Sequence, residues 1–388
     1  MTNNKTAQRL GSQEEMSMRN ASVNSPFSMA EIYRTSAAAA SATVLIIVNT
    51  TILQGIQAAL NQYVSDLEMI EGYAVIVSES MGGSPVDLKA RIVAYHTTLS
   101  STSCALAGCV LIGDLPVPLF SGGSPVDLYY MDLNGLWEDT DGDGMFDNHL
   151  DGTGDIGADI WLGRLTAGPL GGNETVHLNN YFAKNHRYRI GQLNVANRAL
   201  AYVDDDWIGK GDYGLSSAYA DVTTVNDVAL TDAEGYKSRL AENYEFVQLA
   251  VHSTAFAHSF KQNYAGNAQV ANTELLALNP QPVFYCLDAC RAVRYTESNY
   301  IGGCYLFSPG RGLAVIGETI NANSMDGPSE FYSLFGRGLS LGEAFIQWLN
   351  TGGRPNYHMD RTILGDPSLK RRSHYPTPPS PPTNLRIG

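Results

Sequence analysis

The chain has 388 residues, of which 44% are apolar and 16% are charged, and this much apolar material excludes a disordered chain. Its 25 basic and 39 acidic residues give a net charge of −14, which disfavours a nucleic-acid or anionic-membrane partner. The length exceeds the roughly 250–300 residues at which a single core stops growing, so we expect two domains or subdomains.

Strands and helices are predicted to alternate along the first half of the chain. Residues 1–40 are polar and aperiodic, which indicates a lead-in or the remnant of a pro-segment. Ser84 and Pro85 have the residue types of an N-cap and a first helical position. Because alternation of this kind is typical of a parallel sheet, residues 41–190 are predicted to form an α/β subdomain. The predicted strands are 44–48, 73–77, 109–120 and 160–165, and the helices are 51–69, a segment after 84, and 174–190.

A second round of alternation predicts a second α/β subdomain over residues 191–372. We therefore predict two consecutive α/β subdomains whose sheets are mostly parallel and flanked by helices. The tail, residues 373–388, is rich in proline, which is typical of a semi-rigid linker and indicates further C-terminal domains in a longer parent chain. The predicted strands are 198–207, 246–253, 282–290 and 312–319, and residues 330–350 are predicted to be helical.

Two features bear on the cellular location. No stretch reaches the roughly 18–20 apolar residues of a membrane span, and the N-terminus lacks the apolar region of a signal peptide. The protein is therefore either cytoplasmic or a trimmed piece of an exported precursor. The density of cysteines is too low for a disulfide scaffold, and Cys104 and Cys109 are either a local pair or two buried thiols.

Two chemically reactive side chains end adjacent apolar strands of the second half. Val247–Val251 is followed by His252, and Val283–Ala289 is followed by Cys290. If the strands are neighbours, about 4.8 Å apart, the two side chains face each other across one strand gap. A cysteine that also begins the next helix would have its thiol pKa lowered by the helix dipole. Each residue alone is more often structural, but the pair favours a Cys–His catalytic dyad.

The segments FYCLDAC (284–290) and VHS (251–253) resemble the two catalytic blocks of the caspase-like clan of cysteine peptidases, clan CD. The wider chain, over about 42–371, is most similar to the gingipain-like branch of that clan. The other segments that carry the resemblance, in the order of the branch, are GDLPVP (113–118), DLYYMDLNG (127–135), DIWLGRL (159–165) and ILGDPSLK (363–370).

The resemblance implies a caspase-like second subdomain with Cys290 as nucleophile and His252 as general base. It also implies that the backbone amides of Ser253 and Cys290 form the oxyanion hole. The family usually has glycine where this chain has Ser253, and a side chain there is expected to narrow the cleft or to restrict the backbone. His258 is a second candidate base, ranked below His252 because it lies off the strand end.

Substrate choice is expected to depend on Asp155. In Arg-specific gingipains an aspartate a few residues before the Gly-Arg pair lines the primary pocket, and Asp155 is the best match. The residue is otherwise a turn or calcium ligand. Asp127 and Asp132 are weaker candidates for an acid that orients His252.

A calcium loop is predicted at residues 139–151. Asp139, Asp141, Asp143 and Asp147 have the spacing of ligands at positions 1, 3, 5 and 9, and Met145 would supply a backbone carbonyl. The twelfth position is leucine, so Asp151 is expected to substitute. The alternative is a solvated acidic loop without calcium. The ion would be structural, would brace the loop beside the pocket, and would suit a protein outside the cell.

The leading hypothesis is a secreted or surface cysteine endopeptidase that cleaves protein or peptide substrates after Arg, or after Lys, through a thioester. A catalytically silent, calcium-braced surface or adhesion module is the alternative, which Ser253 and the Pro-rich linker, similar at its end to the start of a fibronectin type III domain, both motivate. A sorting or maturation peptidase with the same dyad is the third hypothesis.

Overall fold

The computed structural model describes residues 26–35, 40–261, 269–321 and 323–375. Most of the predicted lead-in and of the Pro-rich linker therefore lies outside the described residues. The part of the lead-in that is described differs from the prediction, because Ser28–Arg34 forms an edge strand that pairs antiparallel with residues 76–81.

Eighteen short and long strands lie in the described residues, and eleven of them form one central sheet. The order across this sheet is β1-β3-β2-β4-β9-β18-β17-β16-β12-β10-β11. The strands are β1 (Ser28–Arg34), β2 (Ala42–Asn49), β3 (Ala74–Met81), β4 (Ala105–Ile112), β5 (Leu119–Phe120), β6 (Ser124–Pro125), β7 (Leu136–Glu138), β8 (Asn148–Leu150), β9 (Trp161–Leu165), β10 (Ala199–Val203), β11 (Val222–Val225), β12 (Phe246–Ala250), β13 (His252–Ser253), β14 (Ala257–Ser259), β15 (Gln269–Ala271), β16 (Phe284–Asp288), β17 (Ala314–Glu318) and β18 (Arg361–Gly365).

The central sheet consists of two parallel halves that run in opposite directions. β3, β2, β4, β9 and β18 are parallel to one another, as are β17, β16, β12, β10 and β11, and β17 pairs antiparallel with β18. The carboxyl ends of β12 and β16 therefore share an edge with the amino ends of β9 and β18. The mostly parallel α/β class is confirmed. The division near residue 190 remains a prediction, because one sheet runs through both predicted units.

Helices pack against this sheet, and their ends follow the capping residues of the sequence. The predicted N-cap is confirmed, because the Asp87 amide donates to the Ser84 hydroxyl and the Asp87 carboxylate accepts from the Ser84 amide. The α-helices are α1 (Thr50–Asp66), α2 (Pro85–Ser100), α3 (Leu128–Met131), α4 (Glu174–Arg189), α5 (Ala233–Leu240), α6 (Asn272–Ala277), α7 (Ile301–Phe307), α8 (Pro328–Gly336) and α9 (Leu341–Thr351), and a π-helical turn (Leu67–Glu71) extends α1.

The structure also bears on the predictions about a membrane span and about a local disulfide. Within the described ranges, no helix is long and apolar enough to cross a membrane. Cys104 and Cys109 are both free thiols, so the local disulfide is not formed.

Candidate active site

β12 and β16 are neighbours in the sheet, as the dyad prediction requires. At their carboxyl ends Ala250 pairs with Asp288, and the Val251 amide donates a hydrogen bond of 3.2 Å to the Asp288 carbonyl. His252 and Cys290 each follow two residues beyond this pair. They therefore occupy equivalent positions at one edge of the sheet, on strands about 4.8 Å apart.

A tight turn places Cys290 at the end of β16, where the residue is partly exposed. The next residue, Arg291, has a φ of 57°, in the left-handed region that residues other than glycine rarely adopt. Its amide donates a hydrogen bond of 2.6 Å to the Ile320 carbonyl, which stabilises this strained turn. The prediction that Cys290 begins a helix is wrong, because turns follow it and α7 begins at Ile301.

His252 is held by an aspartate and a tryptophan from the neighbouring strand end. Its Nε2 lies 2.7 Å from Asp206 Oδ2, and the Trp207 ring lies 4.7 Å from the imidazole. Because a carboxylate only accepts, Nε2 carries the proton and Nδ1 is the basic nitrogen. The contact therefore fixes both the orientation and the tautomer that a general base needs.

Asp206 is the acid that the sequence analysis missed. Three aspartates, Asp204–Asp206, follow β10, which pairs in parallel with β12. Functional side chains of a parallel sheet lie beyond the carboxyl ends of its strands, and this rule, which located His252 and Cys290, applies to these aspartates as well. The strand order, which the sequence leaves open, is what brings Asp206 to His252.

Asp127 and Asp132 do not contact His252, so their assignment as orienting acids is wrong. Asp127 is buried and pairs with Arg164, with an Oδ1–Nη2 distance of 2.6 Å, and it also accepts from the Tyr295 hydroxyl. Asp132 Oδ2 lies 2.7 Å from His149 Nε2. Burial opposes ionisation of Asp132, but bonds from His149 and from backbone amides hold its pKa below the ordinary value. Both carboxylates stabilise the fold.

His258 is buried rather than catalytic. Its side chain is 0% exposed, and burial lowers the pKa of its imidazole to about 3. Its Nδ1 lies 3.0 Å from the hydroxyl of Ser253, its partner across the β13–β14 pair. The ranking of His258 below His252 as a base therefore agrees with its burial.

Asp204, two residues before Asp206, is a buried carboxylate. Asp204 is 0% exposed, and burial raises its pKa from 3.8 to about 6, partly offset by a hydrogen bond of 2.8 Å from the Lys261 amide. The folded state therefore binds this proton more tightly than the unfolded state does. The contribution of Asp204 to stability is full below about pH 4 and is lost as the pH rises through about 6.

Asp204→Asn should therefore raise the melting temperature at pH 8 and leave it nearly unchanged at pH 4, because the amide oxygen still accepts from Lys261 and carries no charge. Thermal unfolding at the two pH values measures this difference. Asp221→Asn, at an exposed position, is the matched control. An equal shift at both pH values would contradict the buried-carboxylate account.

Beneath Cys290, a buried arginine joins three strands. Arg361 Nη2 lies 3.0 Å from Asp288 Oδ1 and 2.6 Å from Glu318 Oε1, and all three side chains are almost fully buried. Burial raises the pKa of Asp288. Burial also opposes ionisation of Glu318, but Arg361, His358 and the Asn323 amide together hold the pKa of that carboxyl below its ordinary value. Arg361 also donates to the Asn323 carbonyl, so it anchors the loop after β17.

Asp155 lies at the same edge as His252 and Cys290, in the loop before β9. It is exposed, and its Oδ1 accepts a hydrogen bond of 2.7 Å from the Gly157 amide. It lines a pocket of about 570 Å³ together with Asn350, Arg354 and Tyr357. The Arg354 guanidinium is paired with Asp326 and lies 4.3 Å from the centre of the Tyr357 ring. Asp155 therefore remains the carboxylate of this pocket that a cationic ligand can reach.

Three carboxylates of the predicted calcium loop lie close together in the structure. Asp139, Asp141 and Asp147 each have an oxygen within 4.8 Å of the others, in the turn between β7 and β8. Asp143 and Asp151 do not belong to this group, and the Asp143 carboxylate instead accepts a hydrogen bond from the Met145 amide. Three converging hard oxygen ligands fit a calcium ion, which takes further oxygens from backbone or water.

The β7–β8 hairpin contacts the Asp155 pocket through one histidine. The His149 ring stacks on Trp137 at 3.9 Å, and the His149 carbonyl accepts a hydrogen bond of 3.0 Å from Asn356, which lines the pocket.

Two solved structures share this architecture. A structure described as a protease aligns with a TM-score of 0.58 and 16% identity over 88% of this chain and 79% of its own. The crystal structure of gingipain R, an Arg-specific cysteine proteinase, aligns with a TM-score of 0.59 and 13% identity over 87% of this chain and 80% of its own. No protein-family model and no curated protein matches the sequence. The chain therefore has the fold of gingipain R, a caspase-like α/β fold.

Proposed function

We propose that the protein is a cysteine endopeptidase whose catalytic residues are Cys290 and His252. The observation that carries this proposal is the register of β12 and β16, which sets the two residues at equivalent positions beyond paired strand ends. The fold shared with gingipain R supports it. Asp206, at the end of the next strand, adds the orienting carboxylate that a histidine base requires.

In the proposed reaction, His252 Nδ1 takes the proton of the Cys290 thiol as the sulfur attacks the scissile carbonyl. The resulting oxyanion is bound by the backbone amides of Ser253 and Cys290. His252 then gives its proton to the leaving amine, and a thioester remains. Water, deprotonated by His252, hydrolyses the thioester. Asp206 stabilises the imidazolium that forms during each proton transfer.

The proposed substrate is a peptide with arginine before the scissile bond. The pocket that Asp155 lines opens at the same edge as the dyad, and its own arginine is already paired with Asp326. A substrate guanidinium would form a charge-assisted pair with Asp155. Lysine, a compact ammonium on a flexible stem, would form only a point contact there.

Asp155→Asn should lower kcat/KM for Arg-ended fluorogenic peptides by about a hundredfold, mostly through KM, because a charge-assisted pair of about 2–3 kcal/mol is lost. Hydrolysis of peptides ending in Arg, Lys, Ala and Glu measures the selectivity. Glu234→Gln removes one negative charge from a side chain that is 82% exposed and serves as control. An unchanged preference for Arg would remove Asp155 from the pocket assignment.

A structural calcium ion is proposed for the β7–β8 turn, with Asp139, Asp141 and Asp147 as its core ligands and Asp143, Met145 and Asp151 as candidates for the remaining positions. Clustered carboxylates repel one another without a cation. Such a loop suits a secreted or surface protein because extracellular sites work at roughly 10⁻⁴–10⁻³ M calcium.

After chelation, added calcium should raise the melting temperature of the wild type, and Asp141→Asn should abolish this rise. Asp221→Asn, which changes the charge equally at an exposed remote position, should respond as the wild type does. A calcium response retained by Asp141→Asn would argue for an acidic loop that binds no ion.

The silent-module hypothesis has two motives, the Pro-rich linker and Ser253, whose side chain is expected to narrow the cleft. The Ser253 hydroxyl instead contacts the Ala257 carbonyl at 3.0 Å and His258, both within its own turn. A cleavage profile from a peptide library would distinguish a general endopeptidase from a sorting peptidase, for which one narrow motif is expected.

A further inference from the structure

The Ser253 side chain has an unusually complete set of partners for a half-buried residue. Its Oγ lies 2.8 Å from the Thr254 carbonyl, 3.0 Å from the Ala257 carbonyl and 3.0 Å from His258 Nδ1. The turn that these bonds close is also held by Thr254, whose hydroxyl accepts from the Phe256 and Ala257 amides. Ser253, which stands in place of the family's glycine, and Thr254 therefore both help to build this turn.

The proton positions in this cluster follow from counting donors and acceptors. Ser253 has one hydroxyl proton, and two carbonyl oxygens lie within reach of it. If the hydroxyl donated to His258, both carbonyls would face an oxygen without a proton. Neutral His258 with its proton on Nδ1 resolves this, because Nδ1 donates to Ser253 while the hydroxyl donates to a carbonyl. Burial keeps the imidazole neutral by lowering its pKa to about 3.

His258 is well placed to act as a rigid anchor for this contact. Its side chain is 0% exposed, and its ring lies 5.9 Å from the Tyr305 ring and 6.4 Å from the Tyr236 ring. These two tyrosines are joined by a hydrogen bond of 2.8 Å between their hydroxyls. The residue that Ser253 contacts is thus held by buried tyrosines of α5 and α7, whereas Ser253 itself directly follows His252.

We propose that His258 is a positioning residue for the oxyanion hole, which acts through the Ser253 hydroxyl to hold the backbone amide of residue 253 toward the scissile carbonyl. This inference rests on the proposed peptidase function. In this chain a serine that contacts a buried histidine stands at the position where the resemblance implies glycine. The tether should matter for acyl transfer, in which an oxyanion forms, and not for alkylation of the thiol, in which none forms.

The test is a double-mutant cycle with two readouts. Ser253→Ala, His258→Phe and the double variant are compared by kcat on an Arg-ended fluorogenic amide and by the rate at which iodoacetamide alkylates Cys290, mapped by mass spectrometry. Cys104, the other partly exposed thiol, is the internal reference. His258→Asn keeps an N–H donor near the position of Nδ1 and serves as the conservative variant.

We expect each single variant to lower kcat about tenfold, because a misplaced oxyanion donor costs part of the 10²–10³ that its removal costs. The double variant should lose no more than either single variant, His258→Asn should recover most of the rate, and Cys290 alkylation should stay within about twofold. Should His258→Phe not fold, Ser253→Ala and His258→Asn supply the same comparison.

Two results would overturn the positioning role. One is a loss of kcat in the double variant equal to the product of the two single losses, and the other is a Cys290 alkylation rate that falls as much as kcat does. Failure of the peptidase proposal would look different. The wild type itself would then not hydrolyse the peptide, and Cys290 would be alkylated no faster than Cys104.

Discussion

Replacement of Cys290 by alanine is expected to abolish hydrolysis of Arg-ended peptides, with a loss of at least about 10³-fold. The thiolate supplies the covalent step, and what remains in its absence is only the binding and oxyanion contribution. Fluorogenic peptide hydrolysis measures the rate. Because the Cys290 side chain is partly exposed rather than buried in the core, the variant should keep the wild-type melting temperature.

The matched control for that loss is Cys104→Ala, which removes the other partly exposed thiol and should keep full activity. Activity retained by Cys290→Ala, or lost equally by Cys104→Ala, would refute the assignment of the nucleophile. The comparison separates the loss of one particular sulfur from the general effect of removing a surface thiol.

Arg361→Met is expected to cost about 3–5 kcal/mol in the free energy of unfolding, because it leaves the buried carboxylates of Asp288 and Glu318 without their cation. The loss should be larger at pH 8 than at pH 5. Without Arg361 the pKa of each carboxyl rises, so both become protonated and uncharged at the lower pH. Urea unfolding at the two pH values measures the effect.

Arg34→Met breaks the exposed Arg34–Glu31 pair and should cost no more than about 1 kcal/mol. Arg361→Met combined with Glu318→Gln should regain part of the loss, since one of the two uncompensated charges is removed. A cost for Arg361→Met as small as that of Arg34→Met would show that the cluster beneath Cys290 contributes little to the fold.

Much of the fold follows from local sequence patterns. Apolar runs such as residues 44–48 and the Ser84-Pro85 cap are determined by neighbours in the chain, and both are observed as predicted. β18 is absent from the predicted elements because its five residues, Arg361–Gly365, gain their buried position only between β9 and β17. The order of the strands is a long-range property that periodicity alone does not encode.

The same distinction between local sequence patterns and long-range strand order applies to the candidate site. His252 and Cys290 are visible because each directly follows an apolar strand, whereas the role of Asp206 depends on which strand lies beside β12. Asp127 and Asp132 were chosen from the resemblance and belong to other ion pairs. The turn after Cys290 replaces the predicted helix because residue 291 adopts a left-handed backbone conformation, which the arginine at that position does not suggest.

The central claim is that the Cys290 thiol and the His252 imidazole act together at the edge of the sheet. Its most direct measurement is the site at which an arginyl chloromethylketone becomes attached, read by peptide mass mapping. We predict one adduct, on Cys290, which forms much more slowly in His252→Ala. An adduct on another residue, or labelling of Cys290 at the same rate without His252, would contradict the account.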